Sequence, residues 1–176
     1  MKFAYHAVSI PGNGHIRTER PCQDSSGVWC DLRPCLIVCD GRGSASHSHY
    51  GARAAVEAFR SQCAVMEDLL AAILDGAKWN DNRWNRFCDL MIRTVCQKKI
   101  ELAEKFDLPE KEFDFTIAFA VWGKERCGFF QEPSINPRCA CTPSEKARNY
   151  LWLPKNCHYY GEEEERWQAK RLELLR

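Results

Sequence analysis

Apolar residues recur along this chain in two rhythms. The run Phe3–Ser9 is aliphatic and aromatic, and Pro11-Gly-Asn-Gly14 stops it, which predicts a first strand. Ser26–Cys30 predicts a second short strand, with Asp31-Leu-Arg-Pro34 as its turn. Cys35–Cys39 predicts a third, buried strand that runs antiparallel to the second and delivers Asp40 at its tip. The rhythm then lengthens to that of a helix. Ala55, Phe59, Cys63, Met66, Leu70 and Ile73 share one face, so a helix is expected from near Tyr50 to Leu74, closed by Asp75-Gly76. Gly51-Ala52 with Ala54-Ala55 thins one end of it, which allows close packing on a sheet. Trp84, Phe87, Cys88, Met91, Val95 and Leu102 mark a second helix over about 80–106, with Arg86, Asp89, Arg93, Lys98 and Glu101 on its solvated face. Phe113–Trp122 is the strongest strand signal. Gly123-Lys-Glu-Arg reads as a turn and Cys127–Gln131 as the returning arm of a hairpin. Short strands in sequence with two long amphipathic helices predict an α+β layered fold.

The rhythm fails after Gln131. Residues 132–161 hold four of the eight prolines and almost no periodic apolar pattern. The stretch Glu162–Arg176 has acids at its start and bases near its end, and Glu162 with Arg166 forms an i,i+4 pair, so a charged terminal helix is expected there.

Chemistry concentrates where the third strand stops. Leu36-Ile-Val-Cys-Asp40-Gly-Arg-Gly-Ser-Ala45 sets an acid on a tight turn. Such an acid serves either as a cap or turn residue or as a ligand for a hard cation. A second acid, Asp24, lies in Pro21-Cys-Gln23-Asp24, also between two apolar segments. Two acids at neighbouring strand ends can share one cation. His15 reads as a hydrogen-bonding structural residue or a catalyst, and Arg17 and Arg20 as solvated cations or phosphate contacts. His47 and His49, at alternate positions before the helix, are either a polar lead-in or metal ligands.

These words occur in a telling order. Gly12, His15, Pro21-Cys22-Gln23-Asp24, then Asp40-Gly41-Arg42-Gly43-Ser44-Ala45, then Gly51-Ala52-Arg53-Ala54-Ala55-Val56 resemble the first half of a bacterial PPM-type (type-2C) protein phosphatase. The resemblance covers roughly residues 4–131. It implies a layered α-β-β-α sandwich of antiparallel sheets, of which this chain would carry part. It implies a domain over 1–131 and a divergent, substituted or out-of-frame tail over 132–176. It also implies a metal-dependent serine/threonine phosphatase, with two Mn²⁺ or Mg²⁺ ions that activate water for attack on a phosphoryl group. On that resemblance Asp40 would bridge the metals and Gly41 would offer its carbonyl oxygen. Gln23 and Asp24 would add oxygen directly or through water, Arg17 or Arg20 would meet substrate phosphate, and Gly43 and Ser44 would complete the turn. The expected partners are a phosphoprotein substrate and a cognate serine/threonine kinase. Relatives carry two later metal carboxylates, in a Ser/Thr-Asp-Gly strand end and in an Asp-Asn or Asp-Asp pair. Neither word occurs here, and the chain is shorter than such domains require. At most one metal is therefore expected, with weak activity or none. The alternative is a non-catalytic pseudophosphatase or interaction module.

Composition narrows the field. With 176 residues, 45% hydrophobic and 28% charged, the chain can bury a core and is not a disordered polyelectrolyte. A net charge of +1 gives no electrostatic case for nucleic acid or an anionic membrane. No apolar run spans a bilayer and the N-terminus lacks a signal-peptide core, so a cytoplasmic location is expected. Eleven cysteines without an export signal read mostly as core thiols. Cys139, Cys141, Cys157 and His158 are the one zinc-like group, and their spacing fits a zinc site poorly.

Overall fold

The computed structural model describes residues 5–76, 81–132 and 148–152. The elements are α1 (Asn13–Arg17), β1 (Ser25–Trp29), β2 (Cys35–Gly41), α2 (Ser48–Val65), α3 (Glu67–Leu74) and α4 (Asp81–Phe106), then a 3-10 turn (Glu110–Phe113), β3 (Phe115–Trp122), β4 (Cys127–Glu132) and β5 (Arg148–Trp152). The five strands form one antiparallel sheet in sequence order. Neighbours in the sheet are thus neighbours in chain order, and the helices α2–α4 enter as one insertion between β2 and β3.

The helices cover a single face of the sheet. On β2 every second residue is buried, and Ile37 and Cys39 are fully so. Cys35, Ile37 and Cys39 sit opposite Val121, Phe119 and Ile117 of β3, all buried. Against them pack Ala52, Ala55, Phe59 and Cys63 of α2, and Trp84, Phe87, Cys88, Met91 and Val95 of α4. Phe119 is the hub: its ring lies 4.9 Å from Phe59, 5.0 Å from Phe130 and 6.1 Å, edge-on, from Phe87. Each such side chain stabilises the fold by about 2 kcal/mol through burial. The thiols Cys35, Cys39, Cys63, Cys88 and Cys96, all within predicted apolar patterns, lie in this core. Gly51 is required at the start of α2, because a β-carbon there would overlap the Phe113 carbonyl oxygen. The thin end of the helix thus packs on the 3-10 turn as well as on the sheet.

The other face of β2 is not closed in the same way. Val38 is 49% exposed although it belongs to the run predicted as a buried strand. The described residues form one sheet, so the second sheet that the sandwich resemblance implied is not among them.

Several boundaries differ from the sequence expectation. The described part of the first predicted strand, Tyr5–Ser9, is not a strand. It nevertheless lies alongside β1: Ser9 Oγ is 2.9 Å from Ser26 Oγ, and the Tyr5 phenol sits beside the Cys30 thiol, which pushes its pKa up. The apolar pattern marked a segment that follows the sheet edge without its ladder. The Gly-rich stop after it contains a short helix, Asn13–Arg17, rather than a simple turn. The single helix expected to Leu74 divides at Met66, and the new start places Glu67 against Arg33. Phe113 and Asp114 precede β3 instead of opening it, since Glu110–Phe113 coils into the 3-10 turn. Beyond Glu132, β5 pairs with β4 in a region where the sequence pattern predicted no element. The expected terminal helix over 162–176 lies outside the described residues, as do Cys139, Cys141, Cys157 and His158. No described helix is long and apolar enough to cross a membrane.

Candidate metal and phosphate site

The site forms where β2 ends. The Asp40-Gly41 step closes the strand, Arg42–His47 turns the chain, and Ser48 begins α2. Such a turn needs internal support, because its backbone polar groups have left the sheet. Gln23 supplies it. Its side chain is buried, and Nε2 donates to the Ser48 hydroxyl at 2.8 Å, to the Ala45 carbonyl at 2.9 Å and to the Arg42 carbonyl at 3.4 Å. Gly41 lies directly on the Gln23 backbone, where a β-carbon would overlap the Gln23 carbonyl oxygen. That close approach explains the glycine after Asp40.

Fixing Gln23 fixes its neighbour. The Asp24 carboxylate accepts the Gly41 backbone N–H at Oδ1, at 3.2 Å. The Asp40 carboxyl lies beside it: desolvation, a hydrogen bond with Asp24 and the Asp24 charge together hold its pKa above the usual carboxylate range. Both residues are exposed. Neither forms an ion pair with a described cation. Two carboxylates held together at a surface are an arrangement that a hard divalent cation relieves.

The predicted residues therefore separate into groups. Gln23, Asp24, Asp40 and Gly41 come together. Gln23 does so as a strut under the turn, its amide nitrogen committed to the loop and its buried Oε1 without a hydrogen-bond partner. Gly43 and Ser44 are exposed on the same turn. His15, Arg17 and Arg20 belong to α1 and the turn after it; Arg17 and Arg20 are exposed and form no ion pair among the described residues. His15 contributes its carbonyl oxygen, which accepts the Arg20 N–H at 2.9 Å. His47 and His49 stack 6.2 Å apart and join Tyr50, Phe106 and Phe113 in an aromatic cluster. Burial, then His47 and Arg53, push the His49 pKa down. Among the described residues no group of three or more His, Cys, Asp and Glu could hold a metal, and the two histidines pack against neighbouring aromatic rings.

Three residues that the sequence reading passed over flank the turn. The Arg42 guanidinium donates to Asp114 Oδ2 at 3.1 Å, and its backbone N–H donates to the Asp114 carbonyl at 2.9 Å. Asp114 in turn takes the ammonium of Lys99, a lysine only 2% exposed. The signal for Lys99 was present: it stands four residues after Val95 and three before Leu102, on the apolar face of α4. Beside this group Glu112 accepts from the Ser46 N–H and hydroxyl, both at 2.9 Å, which lowers its pKa.

No curated protein and no solved structure matches the chain. One family model, described as protein phosphatase 2C, matches residues 11–131. That span runs from the loop before α1 to the end of β4 and includes both carboxylates, their turn and the whole helical layer, and on it the chain belongs to the protein phosphatase 2C family.

Proposed function

We propose that the Asp24–Asp40 end of the sheet is the metal and phosphate site of a serine/threonine protein phosphatase, and that this chain alone is weak or inactive. The observation that carries the reading is the pair of adjacent carboxylates, bridged to the turn through the Gly41 N–H and with no described basic side chain paired to them. Asp40 and Asp24 would hold one Mn²⁺ or Mg²⁺, with the Gly41 carbonyl as a further oxygen. A bound divalent cation would neutralise phosphoryl charge and lower the pKa of a water. The chain's own part is to hold the two carboxylates in register through Gln23 and Gly41. Residues 1–131 would be the phosphatase-like portion and 132–176 a divergent tail, in a cytoplasmic protein acting on phosphoproteins.

The low activity follows from the donor set. Mg²⁺ accepts few protein ligands because it keeps its waters, so two carboxylates and a carbonyl suit one weakly held ion. A two-metal centre needs more carboxylates than these. A non-catalytic role, binding a phosphoprotein or a kinase partner, is the second reading; it is favoured by the finding that no third His, Cys, Asp or Glu joins the pair among the described residues.

The test is hydrolysis of para-nitrophenyl phosphate by the full chain with Mn²⁺, with EDTA and Asp40→Ala as controls. We expect turnover near background together with Mn²⁺ binding that Asp40→Ala removes. Robust turnover lost in both controls would overturn the weak-activity reading. No Mn²⁺ binding by a folded chain would overturn the metal site itself.

A further inference from the structure

We propose that Lys99 is a positioning residue for the carboxylate pair, acting from α4 through Asp114 and Arg42. Lysine is almost never fully buried unless paired, because removing its charge from water is costly. Lys99 is 2% exposed and directs its ammonium to Asp114, itself 18% exposed. Asp114 carries a second cation on its other oxygen, Arg42. One carboxylate thus ties a core lysine to the residue directly after Gly41.

The tie is doubled in the backbone. The Arg42 N–H donates to the Asp114 carbonyl at 2.9 Å, immediately beyond the last β2–β3 register pair, Gly41 and Phe115. Side chain and main chain therefore clamp the same residue to the same partner. The next donor upstream, the Gly41 N–H, is the one that holds Asp24. A shift of Arg42 moves Gly41, and with it the spacing of Asp24 and Asp40. Gln23 supports the turn from below and Lys99–Asp114 from the helical layer, so the carboxylates sit on a turn fixed from two sides. Arg42 keeps 59% of its side chain exposed, so its role in the clamp does not require a buried site of its own.

The purpose of the clamp rests on the metal reading above; its existence does not. The experiment separates them. Amide hydrogen exchange is followed by NMR in the full-length protein for Gly41 and Arg42, with Phe119 as the core reference, in wild type, Lys99→Met, Lys99→Arg and Arg42→Met. Mn²⁺ affinity is titrated in the same samples. We expect exchange at Gly41 and Arg42 to accelerate by about tenfold or more in Lys99→Met and Arg42→Met while Phe119 is unchanged, with Lys99→Arg close to wild type. Mn²⁺ affinity should fall in the same order. If Lys99→Met does not fold, Arg42→Met, which alters an exposed side chain, carries the test. Unchanged exchange at Gly41 and Arg42 in the folded variants would overturn the proposal. Accelerated exchange in a protein whose wild type binds no Mn²⁺ would keep the clamp and overturn the metal reading alone.

Discussion

The two ends of β2 are both fastened by buried arginine–carboxylate or lysine–carboxylate contacts, yet they are built to opposite designs. At the start of the strand Arg33 is 7% exposed and faces two acids, bonding Glu67 at 2.8 and 2.5 Å and Asp75 at 3.3 Å. Asp75 is engaged again by the Lys124 N–H of the β3–β4 turn, at 2.6 Å. One cation therefore joins the β1–β2 turn, α3 and the hairpin turn, and both acids touch it. At the far end Asp114 is satisfied by Lys99 and Arg42, but Asp24 and Asp40 lie beyond that group with no ion pair among the described residues. At the first end every acid touches the buried cation. The second ties its turn through Asp114 and leaves two neighbouring carboxylates without an ion pair among the described residues, which is what the proposed metal site would require.

Arg33→Met should be the most damaging change, lowering stability by about 3 kcal/mol in urea denaturation, because Glu67 and Asp75 lose a buried partner. A loss below about 1 kcal/mol would mean that this end is not a clamp. Gly41→Ala should cost about 2 kcal/mol, since the Gln23 backbone must yield to the new β-carbon. A wild-type melting curve for that variant would show that close approach to Gln23 is not what requires the glycine. Asp40→Asn should act in the opposite direction. In metal-free buffer it should stabilise the fold by up to about 1 kcal/mol, a small gain because water screens the exposed pair, while abolishing Mn²⁺ binding. Destabilisation by Asp40→Asn would assign Asp40 to the fold rather than to a ligand.

The smallest effect concerns Glu112. Its pKa is depressed by the Ser46 N–H first and then by the Ser46 hydroxyl. A depressed carboxylate contributes stability above its unfolded pKa and loses that contribution as pH falls through its folded one. Wild type should therefore exceed Glu112→Gln in melting temperature at neutral pH, with the gap closing between about pH 5 and about pH 3. A gap that persists in acid would show that the glutamate's charge is not what holds Ser46.

The sequence disclosed the elements better than their ends. Period-two and period-3.6 patterns place β2, α4, β3 and β4 within a few residues, because one face of each is buried in a common core, while β1 is half-buried throughout. The pattern could not place the break at Met66. No Gly or Pro marks it, and it coincides with Glu67 reaching Arg33 across a long stretch of chain. Nor could it show that Tyr5–Ser9 follows the sheet edge without joining its ladder, since side-chain alternation is the same in both cases. In the site, Asp24, Asp40 and Gly41 were legible as acids and a glycine on turns. The role of Gln23 was not: only the fold shows its amide turned in toward Ala45 and Ser48. Nothing in the pattern singled out Asp114, because an ion pair between α4 and the residue before β3 has no trace in local spacing.

The buried thiols carry a practical consequence. Cys39 and Cys88 are pushed by burial well above the ordinary thiol pKa, whereas Cys22 and Cys30 are only half-buried. An alkylating reagent attacks the thiolate, so it should label Cys22 and Cys30 at once and reach Cys39 and Cys88 only when the core opens. Residue-resolved labelling of the native protein thus gives the chain an internal clock: the slow thiols report how often the layer beneath the carboxylate turn comes apart, without a fluorophore, an assay substrate or a metal.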